Sequence, residues 1–419
     1  MTQHSSGWQT TWALLVFMLV NFADKTVLGL AANPIMDDLG LTREEFGTAS
    51  AAFFALFSVS ALAVSYLTRT VRTTVLLLVM ALLWSAAQLP MLWTAAGFGT
   101  LVATRVLLGA AEGPAMPVAT HHLHGWFEQR ERTLPTAVLL TGAAAGVAVA
   151  APTLTLVIDH FGWRWAFGAV GLVGLAWAAY WALRGTEGPY ARRAEEDGAP
   201  QESVPYHRIL LSGTWISAAL GAFAAYWMLS ANLTWMPDYL ESVTGLSLHQ
   251  AGILVTGAAL ANGVVLVGHG LLVGRRPKPQ SGAGTGALMC LAAVAVGVFA
   301  LTDAVWLKVL LMLGPMALGN VIMTVSQTAC ARIAPASQRG VVLGALAFVY
   351  ALAGALSPWA VGRVVDTADS VASGYRAAFL LTSVLLGLTG LLALALLRPE
   401  RDARRMADTA RDRSCGVTG

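Results

Sequence analysis

Four charged residues stand inside long apolar stretches of the chain: Asp24, Lys25, Arg105 and Glu112. A charge within a membrane-spanning segment is costly and by default marks a functional site. Arg105 and Glu112 are seven residues apart, nearly two helical turns, so they share one face of a helix. Burial favours a neutral carboxylic acid, whereas a nearby cation favours the ionised form. These residue types therefore predict a site where binding of an anion is linked to binding of a proton.

Counting from the ends of the apolar runs at about 1.5 Å per residue places Asp24 and Glu112 each about 21 Å deep, near the middle of a membrane. We predict that Asp24 and Glu112 take up and release the coupling protons. We predict that Arg105 and Lys25 bind the carboxylate of a substrate. The alternative is two internal ion pairs that only neutralise one another.

The amino-acid composition indicates that the segments containing these charged residues lie in a membrane. Hydrophobic residues make up 56% of the 419 residues and charged residues 12%, against about 25% charged residues in soluble domains. Because a spanning helix takes roughly 20 residues, the length predicts about 12 to 15 spans and excludes a large soluble domain. The three cysteines form no CxxC pair, so neither a disulfide framework nor a zinc motif is expected. A net charge of +3 does not favour a nucleic-acid partner.

Twelve apolar runs are bounded by charges, glycine or proline, and an even number places both termini on one side. The predicted spans are 10–32, 46–67, 74–95, 98–123, 134–158, 164–183, 209–235, 250–273, 283–302, 305–329, 340–362 and 376–397. The first run lacks a basic n-region and contains Asp24 and Lys25, so we interpret it as a retained helix rather than a signal peptide.

Most loop lysines and arginines fall on the side shared by the termini, which predicts that both termini are cytoplasmic. The predicted organisation is an N-terminal six-helix bundle (1–183), a cytoplasmic linker (184–208), a C-terminal six-helix bundle (209–398) and a charged cytoplasmic tail (399–419). We expect the tail to be solvated and disordered.

The two halves carry matching signals, which predicts a duplicated six-span unit. Thr42 with Glu45 and Ser247 with Gln250 form capping boxes at an offset of 205 residues. Gly162-Trp163-Arg164 and Gly374-Tyr375-Arg376 precede spans 6 and 12 at an offset of 212, and Arg132 corresponds to Arg339. Two parallel six-helix halves are typical of secondary transporters of the major facilitator type, in which a site near mid-bilayer is exposed alternately to each side.

Span 4 contains the pattern R-x-x-x-G-x-x-E-G-x-x-x-P, formed by Arg105, Gly109, Glu112, Gly113 and Pro117. This pattern resembles span 4 of the anion:cation symporter branch of the major facilitator superfamily, which includes hexuronate and galactonate symporters, sialin and the vesicular glutamate transporters. Four further segments are similar to signatures of this branch: Asn21-Phe22-Ala23-Asp24-Lys25, Trp126-Phe127 with Arg132, Gly162-Trp163-Arg164 with Phe167, and Trp235-Met236-Pro237-Asp238-Tyr239-Leu240.

The resemblance implies that Asp24 and Glu112 take part in proton coupling and that Arg105 recognises the substrate anion. Lys25 departs from the arginine that is common in this branch, and it lacks a bidentate fork. The gating loop between spans 2 and 3 is eroded, with Val64 and Thr68 at the expected glycine and aspartate, although Arg69 and Arg72 remain. The related loop after span 8 keeps Gly268, Gly274, Arg275 and Arg276 but has Leu272 in place of the acidic residue.

Neutral polar residues in the second half are weaker candidates. We predict that Tyr226, Asn320 and Gln327 hydrogen-bond substrate hydroxyls, with contacts between helices as the alternative. We interpret His121, His122 and His124 as lining a cytoplasmic vestibule, against a metal or proton-relay site. Gly142 and Gly146 form a GxxxG pair that predicts a helix packing contact.

The sequence as a whole predicts an all-α protein of twelve transmembrane helices in two pseudo-symmetric six-helix bundles. We expect a monomeric transporter in the inner (plasma) membrane, not an enzyme, that has no cofactor or metal. It would import a small organic anion, a sugar acid or another carboxylate, with protons. The alternatives are a proton-driven exporter of a drug or metabolite and a non-transporting membrane sensor. The particular anion, the proton stoichiometry and the oligomeric state stay open.

Overall fold

The structure is a computed structural model that describes residues 2–68, 70–128, 131–191, 204–274, 282–335 and 338–416. Within these ranges every regular element is a helix. The loop arginines Arg69, Arg275 and Arg276 and residues 192–203 of the predicted linker lie outside the described residues.

The α-helices, numbered in chain order, are α1 (Thr2–Leu30), α2 (Ala32–Leu39), α3 (Arg43–Ala52), α4 (Phe54–Leu67), α5 (Thr73–Gln88), α6 (Phe98–Glu112), α7 (Ala115–His124), α8 (Thr133–Phe161), α9 (Trp163–Arg184), α10 (Tyr206–Leu210), α11 (Gly213–Ser242), α12 (Leu248–Gly274), α13 (Gly282–Leu301), α14 (Val305–Leu313), α15 (Val321–Ile333), α16 (Arg339–Asp366), α17 (Val371–Leu396) and α18 (Pro399–Gly416).

Ten helical segments in the described residues are long and apolar enough to cross a membrane. The two predicted spans outside that set are each divided into two shorter helices: span 2 into α3 and α4, and span 4 into α6 and α7. Pro114 stands at the second break and directly precedes α7, because its ring fits the start of a helix but not the interior. The prediction of an all-helical membrane protein is confirmed.

The chain forms two compact units. Unit 1 consists of Met1–Gly198, Asn232–Leu260 and Pro358–Asp366. In it α1 packs along α8, and α5 packs along α9. A Cβ atom added at Gly142 would lie 2.6 Å from the Cβ of Met18, and one at Gly146 would lie 2.8 Å from the Cβ of Phe22. The predicted GxxxG packing contact is therefore confirmed, because only glycine lets α8 approach α1 this closely.

Unit 2 consists of Ala199–Ala231, Ala261–Ser357 and Thr367–Gly419. In it α13 packs along α17, as α5 packs along α9 in unit 1. The hydroxyl of Ser357 donates to the carbonyl oxygen of Trp227 at 2.9 Å, and that of Ser230 donates to Gly354 at 3.1 Å. The predicted bundle boundaries at residues 183 and 208 stay a prediction.

Two of the three repeat signals have the same local geometry in both halves. Gly40 and Gly245 both adopt positive φ angles, of 64° and 72°, and the capping boxes that follow them are both formed. The Arg132 Nε donates to Phe127 O at 3.1 Å, and the Arg339 Nε donates to Ala334 O at 3.3 Å, so each arginine binds the carbonyl five residues before it.

The third signal differs between the halves. Gly162 ends α8 with a φ of 83°, whereas Gly374 lies inside α17, which begins earlier than predicted. A capping box of Ser370 and Ser373 starts α17 and extends the helix through the predicted loop.

The expectation of a disordered tail is wrong for the described residues up to 416, because they form α18. Asp402 is buried, and its Oδ2 accepts hydrogen bonds from the backbone N–H and the hydroxyl of Thr214 at 3.0 and 2.7 Å. It therefore satisfies a backbone donor in the first turn of α11. Charge density alone suggested disorder, but the tail supplies a second capping acceptor, in addition to the Ser212 hydroxyl, which accepts from the Trp215 N–H at 3.2 Å.

Candidate functional site

The four charged residues predicted in the apolar runs lie together in unit 1. Asp24 and Lys25 are on α1, and Arg105 and Glu112 are on one face of α6. Asp24, Arg105 and Glu112 are only 1–2% exposed. A fifth residue, Gln88, is hydrogen-bonded to two of these four. It is the last residue of α5 and is completely buried. We call these five residues the charge cluster.

Lys25 and Glu112 form one half of the charge cluster. The Lys25 Nζ lies 2.5 Å from the Glu112 Oε2 and donates to the Asn21 Oδ1 at 2.6 Å. The same ammonium lies over the rings of Phe22 and Phe53, at 4.7 and 5.6 Å from their centres. The Lys25 side chain is 15% exposed, whereas that of Glu112 is not exposed at all. Lys25 is thus the charged residue of the cluster most open to an incoming anion.

Asp24 and Arg105 form the other half, joined by Gln88. The Gln88 Nε2 donates to the Asp24 Oδ1 at 2.5 Å, and the Arg105 Nη2 donates to the Gln88 Oε1 at 2.7 Å. The Arg105 guanidinium lies 5.2 Å from the ring centre of Phe167. Phe167 of the G-W-R-x-x-F segment thus contributes to the site, because an aromatic face stabilises a desolvated cation.

Small residues on α6 let it come close enough to hold these groups. A Cβ atom at Gly109 would lie 1.7 Å from the Phe53 carbonyl oxygen, and one at Gly113 would lie 2.1 Å from that of Phe57. Any side chain at either position would push α6 away from α3 and α4. The glycines of the span 4 pattern therefore serve packing, and this packing holds Arg105 and Glu112 of the same helix in the interior.

Two buried polar atoms of the charge cluster, Asp24 Oδ2 and Arg105 Nε, have no hydrogen-bond partner among the described residues. Such atoms are costly unless something satisfies them. Asp24 Oδ2 has room for a proton, and Arg105 Nε retains a donor for an anion. The arrangement can therefore bind both, with acceptor and donor sites only one glutamine apart.

The structure thus brings together, within unit 1, all four charged residues that the sequence predicted at membrane depth. Their roles in proton coupling and anion binding stay predictions. Sequence analysis missed Gln88. Gln88 could have been found as a side-chain amide within the apolar run 74–95. An uncharged polar side chain inside a span also needs a hydrogen-bond partner.

Unit 2 holds the weaker candidates. The Tyr226 ring lies 5.1 Å from that of Tyr350. The Asn320 Nδ2 donates to the Asn262 Oδ1 at 2.9 Å, and Asn320 Oδ1 is buried without a partner among the described residues. Gln327 is exposed on α15. Asn320 ends a 3-10 segment, Pro315–Asn320, and directly precedes α15, which carries Gln327.

The vestibule interpretation is wrong for His122, whose side chain is completely buried. The His122 Nδ1 and the Thr73 hydroxyl share a hydrogen bond of 2.7 Å, and the His122 ring packs edge-on against Trp181. The His124 Nε2 and the Thr136 hydroxyl lie 3.0 Å apart. His121 is exposed. No group of three or more metal-binding side chains occurs in the part of the chain that the structure describes.

Unit 1 also contains a polar cluster at the start of α3, on the side predicted to be external. Arg43 binds buried Asp238 of α11 through two hydrogen bonds, Nε to Oδ2 at 2.8 Å and Nη2 to Oδ1 at 3.1 Å. The Asp366 carboxylate accepts from the backbone N–H groups of Arg43 and Glu44 at 3.2 and 2.6 Å. The W-x-P-x-Y-L segment therefore supplies the buried partner of a loop arginine.

The sequence matches the Major Facilitator Superfamily over residues 14–358. It is 27% identical to the hexuronate transporter of Bacillus subtilis (strain 168) over 245 residues, which are 56% of this chain and 57% of that protein. It is 25% identical to the D-galactonate transporter of Escherichia coli O6:H1 over 283 residues, which are 61% of this chain and 64% of that protein. The chain thus spans about six-tenths of the length of these relatives.

Two solved structures share the fold. A bacterial homologue of the human lysosomal transporter Spinster superposes with a TM-score of 0.77 at 19% identity, covering 94% of this chain and 97% of that one. A D-xylose–proton symporter superposes with a TM-score of 0.76 at 15% identity, covering 94% and 98%. The predicted fold class is confirmed, and none of the four proteins named here is an enzyme.

Proposed function

Because the chain belongs to the Major Facilitator Superfamily, we propose that it is a secondary transporter that carries a small organic anion and protons together into the cell. We place it in the inner membrane as a monomer with both termini in the cytoplasm. The bias of loop arginines supports this orientation.

The observation that carries the proposal is the charge cluster. Two carboxylates and two cations lie in one buried site, close enough to act on one another electrostatically. A protein core that needed only packing would gain more from apolar side chains, because desolvation offsets much of the attraction within a buried ion pair. Retaining all four charges in a spanning region is therefore best explained by their use.

The coupling follows from charge balance. With no substrate bound, Arg105 and Lys25 stabilise the ionised carboxylates of Asp24 and Glu112. A substrate carboxylate that binds these cations neutralises them, which favours protonation of Asp24 and Glu112. Because linkage is reciprocal, protonation in turn favours anion binding. Anion and proton then bind together and leave together, as symport requires.

In this proposal, Lys25 changes its ion-pair partner from Glu112 to the substrate. The substrate carboxylate replaces that of Glu112 at the partly exposed Lys25 ammonium, and the released Glu112 takes up a proton, because an unpaired buried carboxylate is costly. The Asn21 amide beside Lys25 keeps the ammonium in place during the exchange.

The substrate class that fits is a sugar acid. The hexuronate and D-galactonate transporters carry hydroxylated carboxylates by their names. Tyr226 and Asn320 of unit 2 offer neutral hydrogen-bonding groups for hydroxyls, and the unpaired Asn320 Oδ1 is an acceptor. Exposed Gln327 is a further candidate.

The test is uptake of radiolabelled D-galactonate and D-glucuronate into proteoliposomes. An imposed proton gradient, acidic outside, is expected to drive accumulation by the wild type. Glu112→Gln is expected to abolish the accumulation, whereas Asp369→Asn, which alters an exposed carboxylate, leaves it unchanged. Full proton-driven accumulation by Glu112→Gln contradicts the coupling role.

A second experiment separates import from export. Cells that contain the protein are expected to accumulate the acid when the medium is acidified, whereas an exporter lowers the internal amount. Thermal-shift binding of the same acids to the wild type but not to Arg105→Gln would identify Arg105 as the anion site. Equal stabilisation of both proteins would remove Arg105 from that role.

A further inference from the structure

We propose that Gln88 is a positioning residue that links anion binding at Arg105 to protonation of Asp24. The inference rests on the proposed function and extends it to a residue outside the predicted site. Gln88 is completely buried at the end of α5, and its amide contacts one member of each charge type.

The chemistry of the two neighbours determines which way the amide points. A carboxylate only accepts hydrogen bonds and a guanidinium only donates them. The Nε2 of Gln88 must therefore face Asp24 and its Oε1 must face Arg105, as the distances of 2.5 and 2.7 Å show. Either bond alone would hold the amide, and both together fix it in one orientation.

Gln88 bridges Asp24 and Arg105 by one hydrogen bond to each. No salt bridge joins Asp24 to Arg105 in the described part of the chain; the amide stands between them. A Cβ atom at Gly171 of α9 would lie 3.3 Å from the Gln88 Cβ, so the glutamine stem is closely packed. The side chain has little freedom to leave this position.

The atoms left without partners complete the inference. Asp24 keeps its Oδ2 and Arg105 keeps its Nε unpaired, each on a residue that Gln88 already holds by another atom. A proton on Oδ2 and an anion at the guanidinium can thus be accommodated without removing Gln88. Hydrogen bonds in a chain polarise one another. An anion that draws on the guanidinium weakens its bond to Gln88, and the amide then stabilises ionised Asp24 less.

The substitution that tests this is Gln88→Leu, which keeps the approximate volume and removes both hydrogen bonds. The matched control is Gln338→Leu. Gln338 is also buried, in unit 2, where it exchanges two hydrogen bonds with the Val204 backbone at 2.9 and 2.7 Å. Both variants lose a buried amide, but only one of them lies in the charge cluster.

The first readout needs no substrate. Infrared difference spectra follow the protonated carboxyl band of Asp24, assigned by its loss in Asp24→Asn. We expect Gln88→Leu to raise the proton affinity of Asp24 by about tenfold or more, because the ionised carboxylate loses the hydrogen bond that stabilises it. Gln338→Leu leaves the titration of Asp24 unchanged. An unaltered titration in folded Gln88→Leu overturns the inference.

The second readout is transport of D-galactonate. Gln88→Leu is expected to lose proton-driven accumulation more than it loses exchange of internal for external anion, while Gln338→Leu changes the two in parallel. A wild type without proton-driven accumulation overturns the proposed function and this inference with it. A coupled wild type whose Gln88→Leu variant stays equally coupled overturns this inference alone. If Gln88→Leu does not fold, Gln88→Glu is measured in the same way, since it keeps an acceptor for Arg105 but loses the donor to Asp24.

Discussion

Lys25 and Glu112 form an ion pair, with the Lys25 Nζ 2.5 Å from the Glu112 Oε2, in which the carboxylate is fully buried and the ammonium side chain is 15% exposed. The pair is therefore open from the side of the cation only. A ligand that reaches it meets the positive charge first, and whatever displaces the carboxylate leaves Glu112 in a site with no solvent.

Removing one partner of this pair is expected to cost more than removing both. Lys25→Met leaves the Glu112 carboxylate buried beside no ammonium, which we expect to cost about 3–5 kcal/mol. The double variant Lys25→Met with Glu112→Gln is expected to recover at least half of that loss. Chemical unfolding in detergent micelles compares Lys25→Met, Glu112→Gln and the double variant with the wild type. A double variant that is as unstable as the sum of the single variants contradicts the pairing.

Gly109→Ala is expected to disrupt the packing of α6, because its Cβ would lie 1.7 Å from the backbone oxygen of Phe53. Overpacking usually costs about 1–3 kcal/mol, and a backbone atom yields less than a side chain. Gly99→Ala in the same helix is the control, since nothing lies within 4 Å of its added Cβ. Melting temperatures in detergent should fall for Gly109→Ala and stay level or rise for Gly99→Ala. Equal behaviour of the two would mean that the close approach is not present.

Asp402→Ala is expected to destabilise the protein by about 1–2 kcal/mol, the usual effect of losing a helix cap. Its carboxylate is the partner of the Thr214 N–H and hydroxyl at the start of α11. Asp408→Ala alters an exposed residue of the same helix, α18, and serves as the control. Hydrogen exchange at the start of α11 should rise in Asp402→Ala and stay at the wild-type level in Asp408→Ala. Unchanged hydrogen exchange in both variants would contradict the capping of α11 by Asp402 of α18.

Stability is expected to fall at acid pH partly through Glu187. Partial burial acts to raise the pKa of this carboxyl, but hydrogen bonds from the Thr74 N–H and from the Thr74 and Thr73 hydroxyls outweigh it and lower the pKa below its ordinary value of 4.5. Because the folded pKa is lower than the unfolded one, the stabilisation is complete above pH 4.5 and is lost as the pH falls through the folded pKa.

Glu187→Gln should therefore lower the melting temperature at pH 7 and should weaken its further fall in acid. Asp369→Asn, at an exposed position, provides the comparison. Thermal unfolding measured between pH 7 and the acid limit of the detergent system tests this. The same acid-dependent slope in Glu187→Gln and the wild type would contradict it.

Arg43→Ala is expected to leave buried Asp238 without its bidentate partner and to cost about 3–5 kcal/mol. Arg43→Lys keeps the charge but lacks the fork, so its stability should lie between those of the wild type and Arg43→Ala. Arg376→Ala removes an arginine whose partner Asp303 is almost fully exposed, and exposed pairs contribute little. Chemical unfolding of the three variants gives the order. A loss in Arg376→Ala as large as that in Arg43→Ala would contradict the role of burial.

The apolar runs were sufficient to predict the all-helical membrane fold, because only helices or closed barrels satisfy backbone groups in lipid. The charged residues at membrane depth could also be predicted from the sequence. Asp24, Lys25, Arg105 and Glu112 stand out by residue type alone, and the spacing of Arg105 and Glu112 places them on one face of α6. The capping boxes at Thr42 and Ser247 each depend on only four consecutive residues, so the sequence was sufficient to predict them as well.

Which partner each charge takes depends on tertiary structure. Nothing in the spacing says that Arg105 reaches Asp24 through Gln88 while Lys25 takes Glu112, because three helices must meet before those distances exist. The burial of His122 against Thr73 and the cap that Asp402 provides for α11 join residues that are 49 and 188 positions apart. Periodicity reports which face of a helix is apolar, but it carries no information about which distant side chain will satisfy a buried polar group; that is decided when the helices pack.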